Sequence, residues 1–558
     1  MHPNEFAPYS APSYDTFPEF LSGIAERYSA QTALTWFSRR KEAHSLTYRQ
    51  LTQRVAALRQ ALCIRGCTQG DHLAIISENS ADWITVFLAA ASCGAVTVCV
   101  DTEQSDESIR DMVMRSDSRT LFLSPTFLPI CLPLLNQGKV DHIILMGGLA
   151  SEERIESLED LIQLGGNRLE SDGPAPAEVS PDQTVQIVFT SGTTSQSKMV
   201  MLSQRAILSN MYGASSHVQL HRSVFCPLPF YHAYGMNCAV LNSFLQGCQL
   251  FINGDLKTVM RDLHLAQPDT MFTVPLMVEA IHNQIWLTAE KAGKADALRK
   301  AMKLATLCRR FHLPVKIKAL GQLKEKAVGS LRLVICGGAH LSPDIAREFE
   351  LLGVQMLQGY GITECAPLIS VNRNCCNRLG SVGQPLINCR VEVRDGEVWA
   401  KGPSVMQGYY KDPDQTALAL QDGWFNTGDL GYLDKDGYLY LTGRKKNLIV
   451  FKNGKKISPE KLEELIAPIP LVKEVLVSGT ANGASADDVK LTASIYPDPE
   501  RTRGMSSYEI LEQLQSAIDK INQDLPTYQQ IQLVNIREKE FSKTGTKKIK
   551  RHDNPSRE

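Results

Sequence analysis

The 558-residue chain lacks a basic surplus: Lys plus Arg total 59 and Asp plus Glu 60, a net charge of −1. A protein that wraps nucleic acid needs cations to displace phosphate counterions, so this balance excludes that class and leaves only local basic patches. Metal-finger chemistry is missing too. The fourteen cysteines are scattered, with no CxxC pair and no Cys/His cluster at zinc spacing. Several lie inside apolar runs, as in Val98-Cys99-Val100, where a free thiol acts as a small hydrophobe. The cysteine usage reads as a reduced, cytoplasmic protein without a structural metal. The N-terminal stretch has no basic start followed by an apolar run, which predicts no signal peptide. The one long uncharged stretch, Trp83–Val100, is interrupted by Gly94 and ends in a β-branched run. It reads as helix, glycine, strand rather than as a membrane span. No GxGxxG follows a strand, which disfavours a dinucleotide oxidoreductase.

Hydrophobic residues make up 43% of the chain, enough for large buried cores. Short runs apolar on both faces, such as residues 73–77, 120–124, 142–147, 185–189, 248–252 and 331–337, alternate with helical stretches. That pattern predicts parallel sheets covered by helices on both sides. From about Gly396 the texture shifts to short strands with Gly and Asp turns, as in smaller antiparallel sheets or a barrel. After Arg444 comes a compact α+β pattern, with helices expected at 458–466 and from about Ser507 to Asn522. The expected fold class is therefore α/β, with a large N-terminal domain over 1–443 and a small α+β C-terminal domain over 447–558. A boundary is expected at Gly443–Lys446. Residues 286–330 stand apart, with eleven Lys or Arg against three acidic residues. Leu298, Ala301, Met302, Ala305 and Cys308 recur there at helical spacing. The segment reads either as a solvated basic face on a docked helix or as an interfacial helix meeting anionic lipid or an acidic partner.

The chemistry-bearing residues come in ordered groups. The strand 185–189 runs into Thr190-Ser191-Gly192-Thr193-Thr194-Ser195-Gln196-Ser197-Lys198, a loop that can offer hydroxyls, backbone N–H groups and one cation to a polyphosphate. It is not a Walker A loop, because Ser197 stands where the second glycine should be. Further on come Cys336-Gly337-Gly338-Ala339 and then Gly359-Tyr360-Gly361-Ile362-Thr363-Glu364. The second group places an aromatic plane, a hydroxyl and a carboxylate within five residues, which suits a purine, a phosphate and Mg²⁺. Trp424-Phe425-Asn426-Thr427-Gly428-Asp429, Gly443-Arg444 and a basic C-terminal run, Ser542 to Arg551, complete the series.

In this order and over nearly the whole chain, these groups resemble the motifs of the acyl-adenylate-forming superfamily, closest to bacterial long-chain fatty acyl-CoA synthetases. The phosphate loop departs from the usual pattern at Ser195, Ser197 and Met199, while Thr190 to Thr194 and Lys198 are kept. The resemblance implies that Gly338 and Ala339 flank adenine, that Tyr360 stacks on it beside Gly361, and that Thr363 touches the α-phosphate. Glu364 would hold Mg²⁺, Asp429 the ribose hydroxyls, and Arg444 the ribose or phosphate. Lys548 aligns with the catalytic lysine, with Lys547 beside it as the open alternative. The pivot of a mobile C-terminal domain falls within 444–446, at Lys446. Pro229-Phe230-Tyr231-His232 places His232 by the acyl carboxylate and offers no carboxylate for an amino-acid substrate.

The implied activity uses ATP, Mg²⁺ and CoA to convert a carboxylic acid, a medium- or long-chain fatty acid by this resemblance, to acyl-AMP and then acyl-CoA. Loading of an acyl carrier protein by a fatty acyl-AMP ligase or an aryl-acid ligase is the alternative. A nucleotide-binding homologue without turnover is the reading from another class. Nucleic acid is not an expected partner. The expected location is cytoplasmic; under the interfacial reading of 286–330 the contact would be peripheral, at the inner face of the membrane.

Overall fold

Runs with no polar face become central strands, because only a sheet covered on both sides buries both rows of side chains. The computed structural model describes residues 9–148, 154–172, 179–190, 197–311, 318–451, 455–481, 489–543 and 549–551. Among these residues the apolar runs assemble into two large sheets. The first has eight strands in the order Gly408–Tyr409, Lys198–Ser203, Thr184–Thr190, Val96–Cys99, His72–Ile76, Thr120–Leu123, His142–Leu145 and Ile155–Ser157. From Thr184–Thr190 onward these strands are parallel, and the two at the other edge are added antiparallel. The second sheet has nine strands. Its parallel centre runs Gln355–Gly361, Leu333–Cys336, Thr270–Thr273, Ser223–Cys226, Gln249–Ile252 and Thr32–Phe37.

The uncharged stretch resolves as helix, glycine and strand. Ser80 caps the helix Ala81–Cys93 by accepting from the Trp83 N–H, and Gly94 ends it at a positive φ of 84°. The helix is buried nearly all round, which explains its uniform apolarity without a membrane. No helix of the described residues is long and apolar enough to cross one.

The helix Ala295–Arg310 buries Leu298, Met302 and Ala305 in a core shared with Phe225, Met271 and Val334. One face of the basic segment is thus docked, as its periodicity indicates.

Beyond these sheets, a five-stranded sheet includes Glu397–Lys401, Trp424–Leu433 and Leu439–Arg444. Two compact units result. One comprises Met1–Val391, Trp399–Asn426 and Lys435–Leu439, and the other Glu392–Val398, Thr427–Asp434 and Tyr440–Glu558. The second unit has its own core, in which Ile466, Val477, Ile495 and Leu514 join a three-stranded sheet to the helices Pro459–Ile466 and Ser507–Gln523. Ser506 and Glu509 cap the longer helix reciprocally.

One buried base couples the fold to pH. His217 ends the helix Gln204–His217 fully buried, with Arg373 Nη2 3.3 Å from its Nε2. Burial, and then the Arg373 charge, push the imidazole down to about 3. The unfolded chain takes up this proton near 6.5 and the folded chain does not, so stability rises with pH between the two values. We expect stability to fall as pH drops through that window, by up to about 1.4 kcal/mol per pH unit from this residue. Thermal melts of His217→Gln against wild type check this. A slope unchanged by the substitution removes His217 as the cause.

Candidate active site

Ligands of open α/β sheets gather at the carboxyl ends of the parallel strands, where backbone groups and loops are free. At that edge of the eight-stranded sheet, Thr190 pairs with Lys198 and closes the mouth of a hairpin. Ser191, Gly192, Thr193, Thr194 and Ser195, which carry the phosphate-loop reading, lie outside the described residues. The loop's far end is tied down: Arg115 Nη2 donates to the Ser197 carbonyl at 2.7 Å. Met199, where the resemblance expects glycine, is a strand residue 5% exposed and packed into the sheet core. That departure adds apolar packing to the sheet core at the start of the strand Lys198–Ser203.

Lys198 then reaches out of the hairpin. Its Nζ donates to Gln415 Oε1 at 2.8 Å and sits 4.5 Å from the centre of the Tyr409 ring. The Tyr409 hydroxyl donates to Glu364 Oε1 at 2.9 Å. Burial, with the neighbouring Glu364 charge, pushes the Tyr409 phenol well above its ordinary range, so it remains a donor at any working pH. Glu364 itself is nearly buried, in a short turn after the strand Gln355–Gly361 of the other large sheet. One tyrosine therefore joins the cation of the first sheet's loop to the carboxylate of the second sheet's turn.

That turn is held from below. Asn210 Nδ2 donates to the carbonyls of Cys365 at 3.1 Å and Leu368 at 2.7 Å, and its Oδ1 accepts from the Leu368 N–H. Tyr360 is buried at the end of the same strand, whereas Gly361 is exposed and Thr363 half-exposed. A Cβ on Gly361 would meet the Pro367 carbonyl oxygen at 2.3 Å, so only glycine allows this approach. Gly338 and Ala339 lie exposed beyond the end of the adjacent parallel strand Leu333–Cys336. The Tyr234 hydroxyl braces this edge by donating to the carbonyls of Thr273 and Ile335, at 3.2 and 2.9 Å.

His232 sits in the turn after Ser223–Cys226. Asn79 anchors that turn, donating to the Leu228 carbonyl and accepting the Phe230 N–H, both at 2.8 Å. Burial lowers the imidazole from its ordinary value, against the pull of Asp101, so it is neutral near pH 7. Its Nε2 is buried with no hydrogen-bond partner among the described residues. A neutral ring nitrogen left unsatisfied in a buried turn is poised to meet a polar group of a ligand.

In the second unit, Asp429 and Arg444 come together. Arg444 Nε lies 2.8 Å from Asp429 Oδ1, and Asp429 is 4% exposed. The Asp429 N–H donates to Thr427 Oγ1, whose hydroxyl donates to the Val398 carbonyl. Lys446 is exposed in the turn Lys445–Asn447. Both neighbours of Lys446 are tied, Lys445 to Glu397 at 2.8 Å and Asn447 to Glu460 at 2.6 Å. Lys547 and Lys548 lie outside the described residues, but their flanks are anchored. Lys543 and Ile549 form an antiparallel bridge, and Lys543 pairs with Glu474. Arg551 Nη2 contacts both oxygens of Glu463, at 2.8 and 2.6 Å.

Sequence reasoning did not find Tyr409, Gln415, Arg115 or Asn210. The only local signal near the first two is the Asp412-Pro413 helix start, where Asp412 Oδ1 accepts the Gln415 N–H. That signal predicts a helix and says nothing of a site.

A family model described as "AMP-binding enzyme" matches residues 22–410, and one described as "AMP-binding enzyme C-terminal domain" matches 446–555. A long-chain-fatty-acid–CoA ligase, FadD15, of Mycobacterium bovis is 26% identical over 494 residues, covering 82% of this chain and 78% of the relative. A chloroplastic long-chain-fatty-acid–[acyl-carrier-protein] ligase, AEE15, of Arabidopsis thaliana is 25% identical, covering 90% of this chain and 79% of the relative. Among solved structures, the anthranilate CoA ligase AuaEII in complex with anthranoyl-AMP has the same fold, with a TM-score of 0.78 at 19% identity and 96% of each chain covered.

Proposed function

The chain belongs to the AMP-binding enzyme family, and from that premise we propose that it activates a fatty acid with ATP to an acyl-adenylate and passes the acyl group to CoA. The observation that carries this reading is the link Lys198–Tyr409–Glu364, which joins a cation on a strand of one large sheet to a carboxylate in the turn after a strand of the other. A polyphosphate with its counter-cation needs both. Among the described residues no group of three or more His, Cys, Asp or Glu gathers to form a resident metal site. A single carboxylate suits Mg²⁺ that arrives with substrate phosphates and keeps its waters, so Glu364 fits the metal in that form. When bound there, Mg²⁺ supplies positive charge to the phosphate oxygens.

The protein's own residues divide the work. The acid and ATP are both anions, so Lys198 and Lys548 offset the charge that builds as the carboxylate approaches the α-phosphorus. Thr190 and the hydroxyl loop after it cradle the phosphates, and Thr363 donates to the α-phosphate. Tyr360, Gly361, Gly338 and Ala339 receive the adenine. Asp429 accepts from the ribose hydroxyls, while Arg444 orients that carboxylate. His232, neutral and with a free buried nitrogen, donates to the acyl carboxylate. The C-terminal domain is proposed to turn about Lys446 between adenylation and thioester formation, withdrawing Lys548 from the first site. Residues 447–558 are the moving part in this reading.

The fatty-acid choice draws on the CoA ligase named above, and the name of the Arabidopsis relative supports a carrier protein as the second possible acceptor. Pyrophosphate release measured with fatty, aryl and amino acids, each with and without CoA or an acyl carrier protein, tests both. Release with fatty acids, and thioester only when CoA is present, is the expected result. Thioester on the carrier alone moves the protein to the second acceptor. No release with any acid, alongside intact ATP binding, would sink the catalytic reading.

A further inference from the structure

The adenylation reading leaves the basic segment unused. The helix Ala295–Arg310 buries one face, yet its other face is not an ordinary solvated one. At about 100° per residue, Leu304, Leu307 and Phe311 fall on the side away from Leu298, Met302 and Ala305. They are 53%, 52% and 64% exposed. Lys300, Lys303 and Arg310 are exposed around them, with no acidic partner among the described residues. The acidic residue on the helix is already neutralised, since Arg299 Nη1 meets Asp296 at 2.6 Å, and Arg309 is spent on Glu350 at 3.2 Å. The outward side thus combines three large apolar side chains in a row with three unpaired cations.

We infer that this face is a docking surface for an anionic lipid bilayer. The helix would lie in the interface plane, with Leu304, Leu307 and Phe311 in the acyl boundary and Lys300, Lys303 and Arg310 against headgroup phosphates. Charge complementarity favours lipid. Residues 286–330 hold eleven basic and three acidic residues in a chain of net charge −1, so the remainder is net acidic and a negative surface is approached with this segment first. An acidic protein would satisfy the cations but would need a matching apolar groove for the three side chains, whereas a bilayer interface supplies both along one plane. The inference does not depend on which acid is activated.

Sedimentation of the full-length protein with vesicles of phosphatidylcholine, alone or mixed with phosphatidylglycerol, tests it. Pelleting with the mixed vesicles, little with phosphatidylcholine alone, and weakening as salt rises are expected. Leu307→Asp with Phe311→Asp should lower the partition coefficient by more than about ten-fold, because two apolar side chains leave the interface. Lys300→Gln with Lys303→Gln should lower it by about five-fold per residue and flatten the salt dependence. Both variants change exposed positions, so thermal melts and acid-dependent pyrophosphate release in solution should match wild type. Wild type that stays in the supernatant at low salt overturns the inference, as does an apolar double variant that pellets normally. Pelleting that is equal with both vesicle types overturns it as well.

Discussion

Glu364→Ala should lower pyrophosphate release by at least about 10²–10³-fold while leaving the protein folded, the scale of losing one preorganised electrostatic contact at a developing charge. The residue is 6% exposed and accepts from the Tyr409 hydroxyl at 2.9 Å, so a loss of activity could in principle come from a displaced tyrosine. Two companion variants separate these causes. Glu364→Gln keeps an acceptor for Tyr409 but removes the charge, and it should be nearly as inactive as the alanine. Tyr409→Phe keeps the charge and loses one hydrogen bond of about 1 kcal/mol, so it should lose no more than about ten-fold. The measurement is pyrophosphate release at saturating ATP across a Mg²⁺ titration, with thermal melts as the fold control. A Glu364→Gln enzyme that turns over near normally would show that the carboxylate only positions Tyr409. A Tyr409→Phe enzyme as dead as Glu364→Ala would show that the tyrosine, and not the charge, is what the site needs.

The contrast between Glu364 and Tyr409 also shows where reading a sequence works and where it stops. Glu364 is legible because its motif is contiguous: an aromatic, a hydroxyl and a carboxylate follow one strand end within five residues. The strands themselves are legible for a similar reason. Residues 185–189 and 333–336 are apolar runs, and the structure buries them inside the two large sheets. Tyr409 is illegible because the two-residue strand Gly408–Tyr409 is too short to show a period, and it finds its place only by pairing with Val200 and Met201 far up the chain. Asp429 and Arg444 were each readable as nucleotide contacts. Their ion pair was not, since it depends on strands of one sheet returning to each other. The helix 295–310 repeats the lesson on a surface. Periodicity picks out Leu298, Met302 and Ala305 as the inner stripe, but only the packed structure shows that nothing described covers Leu304, Leu307 and Phe311.

Lys548→Ala and Lys446→Pro should fail at opposite halves of the reaction. Under the proposed division of labour, Lys548 neutralises charge at the α-phosphorus and matters only while acyl-AMP forms. Its loss should cost about 10²–10³-fold in pyrophosphate release, yet supplied acyl-AMP and CoA should still yield thioester at the normal rate. Lys446 is exposed in a turn whose neighbours are held by Glu397 and Glu460, so the freedom proposed for the pivot is confined to very few backbone angles. Proline there fixes φ near −65°. Lys446→Pro should therefore release pyrophosphate once per enzyme, accumulate acyl-AMP and stall before the thioester. Single-turnover assays with each half-reaction read separately decide the matter. Lys446→Ala, which keeps the backbone free, should behave like wild type and separates the pivot from any role of the lysine's charge. If Lys547→Ala is the variant that loses adenylation while Lys548→Ala keeps it, the catalytic position moves by one residue. If both keep it, the segment between the bridged residues Lys543 and Ile549 does not carry the catalytic lysine, and the C-terminal assignment is wrong.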